Sequence, residues 1–177
     1  MEKPILYCDC DGVLFDTIDT AFQIMREHGV DMNDHAAIDY FFKRELDWHD
    51  VFKRAEIIND GISKLKILDQ SGLFKEVVIL TRLSGSYYEE GIKRDLFNIM
   101  LPNNQVITLE FGLSKASIVP FENNILVDDE MKNITPWMKK GCAILFKKNG
   151  YDLENDIVSD LLDVPNTNGV KKLLKIR

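Results

Sequence analysis

Short runs of consecutive apolar residues alternate along most of this chain with longer segments in which apolar residues recur every three or four positions. A continuous apolar run is typical of a parallel strand buried on both faces, and the longer spacing is typical of an amphipathic helix. The predicted strands cover residues 5–8, 77–80, 106–109, 125–127 and 143–146. Helices are predicted at about 86–100 and 132–140, after the last strand through residue 161, and over 170–176, with a turn or short helix at Ser114-Lys115. This alternation predicts an α/β fold with a doubly wound parallel sheet.

Residues 17–71 interrupt the alternation, because they carry helical patterns and no predicted strand. Four short helices are expected: one from Asp16 or Thr17 to about residue 28, one beginning at Asn33 or Asp34, one capped by Asp47, and one over 61–70. Asp, Asn and Thr are favoured at such starts because their side chains accept hydrogen bonds from the first free N–H groups of a helix. The sequence therefore predicts an α/β core formed by residues 1–16 and 72–177, and a small helical insert formed by residues 17–71.

Polar residues follow three of the predicted strands at the ends where the chain leaves the sheet. They are Asp9 and Asp11 after the first strand, Thr81 and Arg82 after the second, and Asp128 and Asp129 after the fourth. Because ligands bind at the carboxyl ends of the strands in open α/β sheets, we expect these side chains to share one crevice. Asp9 and Asp11 would repel each other, and a hard divalent cation with oxygen ligands, Mg²⁺ for preference, would relieve that repulsion. Taken alone, the pair could also belong to a solvated turn.

The composition disfavours several other classes of protein. Hydrophobic residues make up 45% of the 177 residues, which is enough for a buried core, and a net charge of −7 disfavours an extended surface for a nucleic-acid polymer. The three cysteines, Cys8, Cys10 and Cys142, are too few for a disulfide framework or a four-ligand zinc site. No apolar run approaches the length of a membrane span. We therefore expect a cytoplasmic protein without a membrane partner, and the sequence leaves its oligomeric state open.

The order of the polar residues resembles the pattern of the haloacid dehalogenase-like (HAD) superfamily of phosphotransfer enzymes. That pattern is an apolar strand ending in Asp-x-Asp, a strand ending in Thr or Ser, a Lys, and a strand ending in an acidic pair. Its counterparts here are Asp9-Cys10-Asp11-Gly12-Val13, Ile79-Leu80-Thr81, Lys115 and Ile125-Leu126-Val127-Asp128-Asp129, in the same order. The resemblance covers nearly the whole chain, and residues 17–71 stand where family members carry a helical cap.

The resemblance implies a Mg²⁺-dependent phosphomonoesterase that acts on a small phosphorylated metabolite through an aspartyl-phosphate intermediate. Asp9 would attack phosphorus, while Asp11 would protonate the leaving oxygen and later activate water. Mg²⁺ would be held by Asp9, by the backbone carbonyl of Asp11, and by Asp128 or Asp129. Nothing in the sequence decides between the last two.

The other expected site residues would hold the substrate. Thr81 would offer its hydroxyl to a phosphoryl oxygen, and Gly12 is a further expected phosphate-binding position. Lys115 would place a point charge between the phosphate and the nucleophile. Arg82 is expected either to contact the substrate or to be a surface cation beyond the strand.

Two other basic residues could take the role given to Lys115. Lys93 and Arg94 fall inside a predicted helix, where a solvated face is the simpler interpretation. Lys115 lies in a connection after a strand, and functional groups concentrate on such loops. We therefore expect Lys115 to be the lysine of the site.

The substrate is the least defined part of this prediction. The C-terminal half is similar to the small 5'(3')-deoxyribonucleotidase-like branch of the superfamily, so a (deoxy)nucleoside monophosphate is one candidate. Phe41, Phe42, Trp48 and Phe52 could stack on a base, although their helical spacing is explained more simply by packing inside the cap.

Three other functions use the same types of residue. A receiver-like module that accepts a phosphoryl group also combines an acidic pair, a Thr and a Lys, but in a different order along the chain. A non-catalytic phosphate-binding module is the second alternative. A phosphotransferase or mutase on the same core is the third.

Overall fold

The computed structural model describes residues 2–175, which contain one parallel sheet of six strands. The strands are β1 (Leu6–Cys8), β2 (Val77–Arg82), β3 (Val106–Leu109), β4 (Ile125–Asp128), β5 (Cys142–Phe146) and β6 (Ile157–Val158). Their order across the sheet is β3-β2-β1-β4-β5-β6, and every neighbouring pair is parallel. Strand β1 is central, so that Cys8 lies between Ile79 of β2 and Val127 of β4. The predicted doubly wound α/β fold is confirmed.

The helices begin close to the predicted positions. They are α1 (Thr17–Glu27), α2 (His35–Arg44), α3 (Trp48–Arg54), α4 (Gly61–Gln70), α5 (Glu89–Met100), α6 (Lys115–Ile118), α7 (Met131–Trp137) and α8 (Asn168–Leu174), with short 3₁₀ helices at Ile58–Asp60 and Leu161–Asn166. The side chains of Asp34 and Asp47 cap α2 and α3 by accepting backbone hydrogen bonds, each with a shortest distance of 2.9 Å. Over residues 2–175, no helix has the length and apolar character needed to cross a membrane.

Successive residues of the strands pack into two hydrophobic clusters, one on each face of the sheet. Leu6 and Cys8 of β1 belong to the larger cluster, and Tyr7 belongs to the smaller one. On the smaller side, Tyr7 packs edge-on against Trp137 of α7, with ring centroids 5.4 Å apart. Because both faces are covered, the strands are continuous apolar runs rather than alternating ones.

Helices α1, α2 and α3 form a hydrophobic cluster of their own, and we call this three-helix unit the cap. Its buried residues are Ala21, Ile24, Met25, Phe41, Leu46, Trp48 and Val51. The chain enters and leaves the cap through adjacent backbone segments. The Asp16 N–H donates to Glu56 O at 3.0 Å, and the Ile58 N–H donates to Leu14 O at 2.9 Å. The two connections therefore run side by side.

Helix α4 lies within the predicted insert but packs with the sheet. Its buried residues Ile62, Leu65 and Leu68 belong to the cluster that contains Leu6 and Cys8. An amphipathic pattern shows that a helix has an apolar face, but not which neighbour covers that face. The insert boundary at residue 71 stays a prediction, and the packing of α4 favours an earlier end.

The C-terminal region differs from the prediction of a helix through residue 161. The short strand β6 lies there instead and pairs with β5, with Leu145 opposite Ile157. The Asp152 side chain accepts a hydrogen bond from the Asn155 N–H at 3.2 Å, and Asp156 has a positive φ of 55°. Such local side-chain bonds compete with a helix and favour turns. Helix α8 confirms the predicted final helix over 170–174; Lys175 has a left-handed conformation and ends it, and residue 176 lies outside the described residues.

The packing of α4 against the sheet can be tested by two substitutions in the same helix. Leu65→Ala should lower the free energy of unfolding by about 2–5 kcal/mol, because it removes a fully buried side chain. Ile67→Ala should change it by no more than about 0.5 kcal/mol, because Ile67 is 52% exposed. Urea unfolding followed by circular dichroism measures both. Equal losses in the two variants would contradict the packing described for α4.

Candidate active site

The carboxyl ends of β1, β2 and β4 meet in one crevice. Asp9 directly follows the central strand β1, Thr81 and Arg82 end β2, and Asp128 ends β4. The Asp9 N–H donates to Val127 O at 3.0 Å, which ties the chain after β1 to β4. The strand order thus brings together polar side chains that lie far apart in the sequence.

Three carboxylates in the crevice form a group that suits a divalent cation. Side-chain oxygens of Asp9, Asp128 and Asp129 lie within 4.8 Å of one another. We call these residues the acidic group. Clustered carboxylate oxygens are the ligands that hard cations such as Mg²⁺ prefer. The carboxylate of Asp11 makes other contacts, described below.

Gly12 makes room for one member of the acidic group. Its φ is +74°, and a Cβ at this position would lie 2.1 Å from Oδ2 of Asp129. Any larger residue would therefore strain the backbone and displace that carboxylate. The phosphate contact expected for Gly12 stays a prediction.

Lys115 lies at the start of α6 and is fully buried beside the acidic group. Its Nζ lies 2.7 Å from Oδ2 of Asp9 and donates to Oδ2 of Asp128 at 2.6 Å. Burial alone would lower the pKa of Lys115, but Asp9 and Asp128 raise it above its ordinary value. The amine therefore stays charged next to Asp9.

The two members of the acidic pair have different surroundings. Both oxygens of Asp128 are engaged, because Oδ1 accepts from the Glu130 N–H at 2.9 Å, Oδ2 accepts from Lys115, and the Asn133 amide donates to both. The carboxyl group of Asp129 lines the cavity instead. Although Asp129 as a residue is exposed, loss of hydration around its carboxyl group raises the pKa of that group to about 7, aided by the charges of Asp128 and Glu130. Of the pair, Asp129 is therefore the better placed to receive a cation.

Asp9 lies at the centre of the crevice. Its Oδ1 accepts a hydrogen bond from the Cys10 N–H at 2.8 Å, and its Oδ2 faces Lys115. Burial raises the pKa of Asp9 well above its ordinary value, although Lys115 acts in the opposite direction. A cation in the acidic group would favour the ionised carboxylate that a nucleophile requires.

Asp11 turns its carboxylate towards the cap and towards β2. Thr17, the first residue of α1, donates to its Oδ1 at 2.7 Å. Lys93 donates to its Oδ2 at 2.6 Å, and Thr81 donates to the same oxygen at 3.2 Å. Burial alone would raise the pKa of Asp11, but the charge of Lys93 and the hydrogen bonds from Lys93 and Thr17 lower it below its ordinary value.

Lys93 is the residue of the crevice that the sequence reasoning missed. We expect a solvated lysine from its position within a helix, but its side chain is 0% exposed. It follows the apolar face of α5, since Phe97 and Met100 lie four and seven residues further along. The spacing of Lys93 from these apolar residues could therefore have indicated that its side chain is buried. Arg94, on the neighbouring face, is exposed and pairs with Glu90.

A cavity of about 230 Å³ opens between the acidic residues and the cap. Asp9, Asp11 and Asp129 line its core side, and Phe42 and Trp48 line its cap side. The four aromatic residues considered for stacking therefore divide into two pairs. Phe41 lies in the hydrophobic cluster of the cap, and Phe52 packs against Phe15 with centroids 5.4 Å apart.

Arg82 also lines this cavity, together with Phe111 on the loop after β3. The Arg82 Nη2 donates to Oδ1 of Asn133 at 2.6 Å, and its Nη1 lies 3.7 Å from Oε2 of Glu130. Arg82 is thus fixed in the crevice wall rather than extended into solvent. Its expected contact with substrate stays a prediction.

Comparison with known families and curated proteins gave no match. No family model matches the sequence. No curated protein matches it either. The similarities described next are therefore to solved structures.

Several solved structures match the chain over nearly its whole length. A haloacid dehalogenase-like family hydrolase from Xanthomonas campestris is 12% identical, with a TM-score of 0.57 over 98% of this chain and 97% of that one. A Bacillus subtilis protein described as a HAD hydrolase and solved bound to magnesium is 11% identical, with a TM-score of 0.56 over 94% and 98% of the two chains. A Bacteroides vulgatus protein assigned as a beta-phosphoglucomutase is 14% identical, with a TM-score of 0.52 over 98% and 91%. The chain therefore has the fold of the haloacid dehalogenase-like hydrolases, as the order of its motifs predicts.

Proposed function

We propose that this protein is a Mg²⁺-dependent phosphomonoesterase that forms an aspartyl phosphate on Asp9. The observation that carries the proposal is the position of Asp9, which lies in the acidic group and against Lys115, with Asp11 lining the same cavity. A nucleophile, a proton carrier and a cation site thus share one small space. The fold agrees with this activity but does not establish it.

In the first step, an oxygen of Asp9 attacks phosphorus and the bond from phosphorus to the leaving oxygen breaks. The negative charge of the substrate bound beside Asp11 would raise the pKa of this carboxyl group, so that it takes up the proton that it then gives to the leaving oxygen. Lys115 holds Asp9 in place, and its charge offsets that of the phosphoryl group. Thr81, whose hydroxyl lies beside Asp11, is the donor expected to bind a phosphoryl oxygen.

In the second step, water attacks the phosphorus of the acyl phosphate and releases inorganic phosphate. Asp11, now ionised, accepts the proton of that water and returns to its starting state. Asp9 is regenerated as a carboxylate. The same side chain thus acts as acid and then as base, which requires that its orientation be held through both steps.

The charges of the site support a divalent cation. Five carboxylates surround two buried lysines; the carboxylates are Asp9, Asp11, Glu89, Asp128 and Asp129, and the lysines are Lys93 and Lys115. A phosphate ester would add further negative charge. Asp9, Asp129 and the Asp11 carbonyl are the ligands we propose, with Asp128 held back by Lys115 and Asn133. When bound, Mg²⁺ would neutralise charge on the transferring phosphoryl group.

The substrate we propose is a small phosphorylated metabolite whose leaving group fits beneath the cap. Phe42 and the largely buried Trp48 line the cavity there with aromatic atoms, so a (deoxy)nucleoside monophosphate is the leading candidate. The cavity beneath the cap favours an enzyme over a receiver-like or non-catalytic phosphate-binding module. A phosphotransferase or mutase is the second candidate, because the Bacteroides vulgatus neighbour is assigned as a beta-phosphoglucomutase.

Replacement of the nucleophile should abolish turnover. Asp9→Asn should lower kcat by more than about 10³-fold, because a carboxamide cannot form the acyl phosphate. Hydrolysis of p-nitrophenyl phosphate, with and without a chelator, measures the effect. Asp19→Asn, an exposed change on α1, is the matched control and should retain wild-type activity. Full activity in Asp9→Asn, or an inactive wild type across a broad phosphate panel, would disprove the mechanism.

Asp11→Asn should separate metal binding from proton transfer. Its kcat should fall by about 10²–10⁴-fold, because the carboxamide cannot donate and recover the proton. Its affinity for Mg²⁺ should change little, because the proposed ligand at this position is the backbone carbonyl. Steady-state kinetics and calorimetric Mg²⁺ titration measure the two quantities. Turnover equal to that of the wild type would remove the acid/base role of Asp11.

The proposal that Asp129, rather than Asp128, binds the cation can be tested by Asp129→Asn. Mg²⁺ affinity should fall by about 100-fold or more. Loss of a residue that only hydrogen-bonds to a metal ligand typically costs about 10–100-fold, and loss of a ligand should cost no less. Calorimetric titration of the folded variant measures the affinity. Glu122→Gln, an exposed change outside the crevice, should leave it unaltered. Undiminished affinity in Asp129→Asn would show that Asp129 is not a ligand.

A further inference from the structure

Lys93 is a buried cation to which the proposed reaction gives no part. Its Nζ donates to Oδ2 of Asp11 at 2.6 Å, to Oγ1 of Thr81 at 3.1 Å and to the carbonyl of Arg82 at 3.1 Å, and it lies 2.8 Å from Oε1 of Glu89. A lysine amine offers only three protons to these four acceptors, so its full donor capacity is used. Such a fully engaged amine holds its partners in fixed positions.

The helix that carries Lys93 also supplies its counter-ion. Glu89 lies one turn earlier on α5 and is almost fully buried. Its Oε2 accepts hydrogen bonds from the Ser84 N–H and from the Ser84 hydroxyl, both at 2.6 Å. Burying an unpaired charge would be costly, and this pairing allows the lysine to remain charged inside the protein. Glu89, which is itself fixed by Ser84, therefore helps to hold the Lys93 amine in contact with Asp11.

The cap completes the enclosure of Lys93. Trp48 is the first residue of α3, and the Nζ of Lys93 lies 5.3 Å from the centroid of its ring. This distance is within the range of a cation–π contact. Asp11 is thus held on two sides, by Thr17 from α1 and by Lys93 from α5. Among the contacts of residues 2–175, the amine of Lys93 reaches Asp11 but no member of the acidic group.

We propose that Lys93 is a positioning residue, which fixes the carboxylate of Asp11 for proton exchange with the leaving oxygen and then with water. The inference rests on the proposed function, because it assigns Lys93 a part in that reaction. Lys93 acts through Asp11 and does not itself touch the phosphoryl group. Lys115 thus holds the proposed nucleophile Asp9, and Lys93 holds the proposed proton carrier Asp11.

The test is a double-mutant cycle between Lys93 and Asp11. Lys93→Met keeps the length of the side chain and removes its charge and its hydrogen bonds. On p-nitrophenyl phosphate with saturating Mg²⁺, it should lower kcat by about 10²-fold, the loss expected when a reacting group is misplaced by about 1 Å. In the Asp11→Asn background, the same change should cost no more than about twofold, because its target is already gone. A lysine with only a structural role would cost the same in both backgrounds.

Arg94 provides the matched control. It lies next in sequence, on the same helix, and forms the same i,i+4 pair with Glu90, but on the exposed face. Arg94→Met should change kcat by no more than about twofold. Mg²⁺ affinity should be unaltered in Lys93→Met, because Lys93 does not contact the acidic group. Circular dichroism verifies the fold of each variant. If Lys93→Met alone is unstable, the double variant Lys93→Met/Glu89→Gln, which also removes the counter-ion, replaces it in the same cycle.

The outcomes separate this inference from the proposed function. An active wild type with kcat unchanged in Lys93→Met would overturn the positioning role and leave the phosphatase proposal standing. Equal losses in the wild-type and Asp11→Asn backgrounds would overturn it as well. A wild type that hydrolyses no phosphate ester would overturn the proposed function and the role of Lys93 together.

Discussion

The site depends on the placement of two buried lysines among carboxylates that would otherwise repel one another. Lys115 lies between Asp9 and Asp128, and Lys93 lies between Asp11 and Glu89. Each amine offsets two acids and keeps its own charge because of them. Removal of either lysine would leave buried carboxylates without a counter-charge. Asp9 and Asp11, only two residues apart, therefore pair with different lysines.

The parallel sheet makes this separation possible. The central strand β1 delivers Asp9 and Asp11 to the middle of its edge, with β4 on one side and β2 on the other. The β4 side supplies Asp128 and the α6 side chain of Lys115, and the β2 side supplies Thr81 and, through α5, Lys93. Glycine at position 12 lets the chain turn closely beneath Asp129. Asp9 and Asp11 thus face different neighbours although they share one turn.

The sequence was sufficient for the parts of the structure that depend on local rules. Buried strands appear as apolar runs, and caps such as Asp34 and Asp47 depend on groups two or three residues away, so both were predictable. The placement of Lys115 beside the acids also follows from a topological rule about strand ends. What could not be predicted was the partner of each helix face. The register of α5 places Lys93 on the apolar face of the helix, but no local pattern indicates that this face meets Asp11.

Helix α4 and strand β6 illustrate the same limit. The apolar face of α4 would suit either the cap or the sheet, and only the tertiary packing decides. Strand β6 contains two residues, too few for a recognisable period, and its existence depends on an unpaired edge at β5. The sheet supplies that edge, so no local signal marks the strand.

The side-by-side connections of the cap have a consequence for how this protein could diversify. Because the chain leaves the core beside Leu14 and returns beside Ile58, joined by backbone hydrogen bonds, the cap occupies a single point of attachment. The strands and their register lie outside that point, and Phe52 of α3 packs across it on Phe15 of the core. Inserts of different length or shape could therefore be exchanged there without altering the sheet.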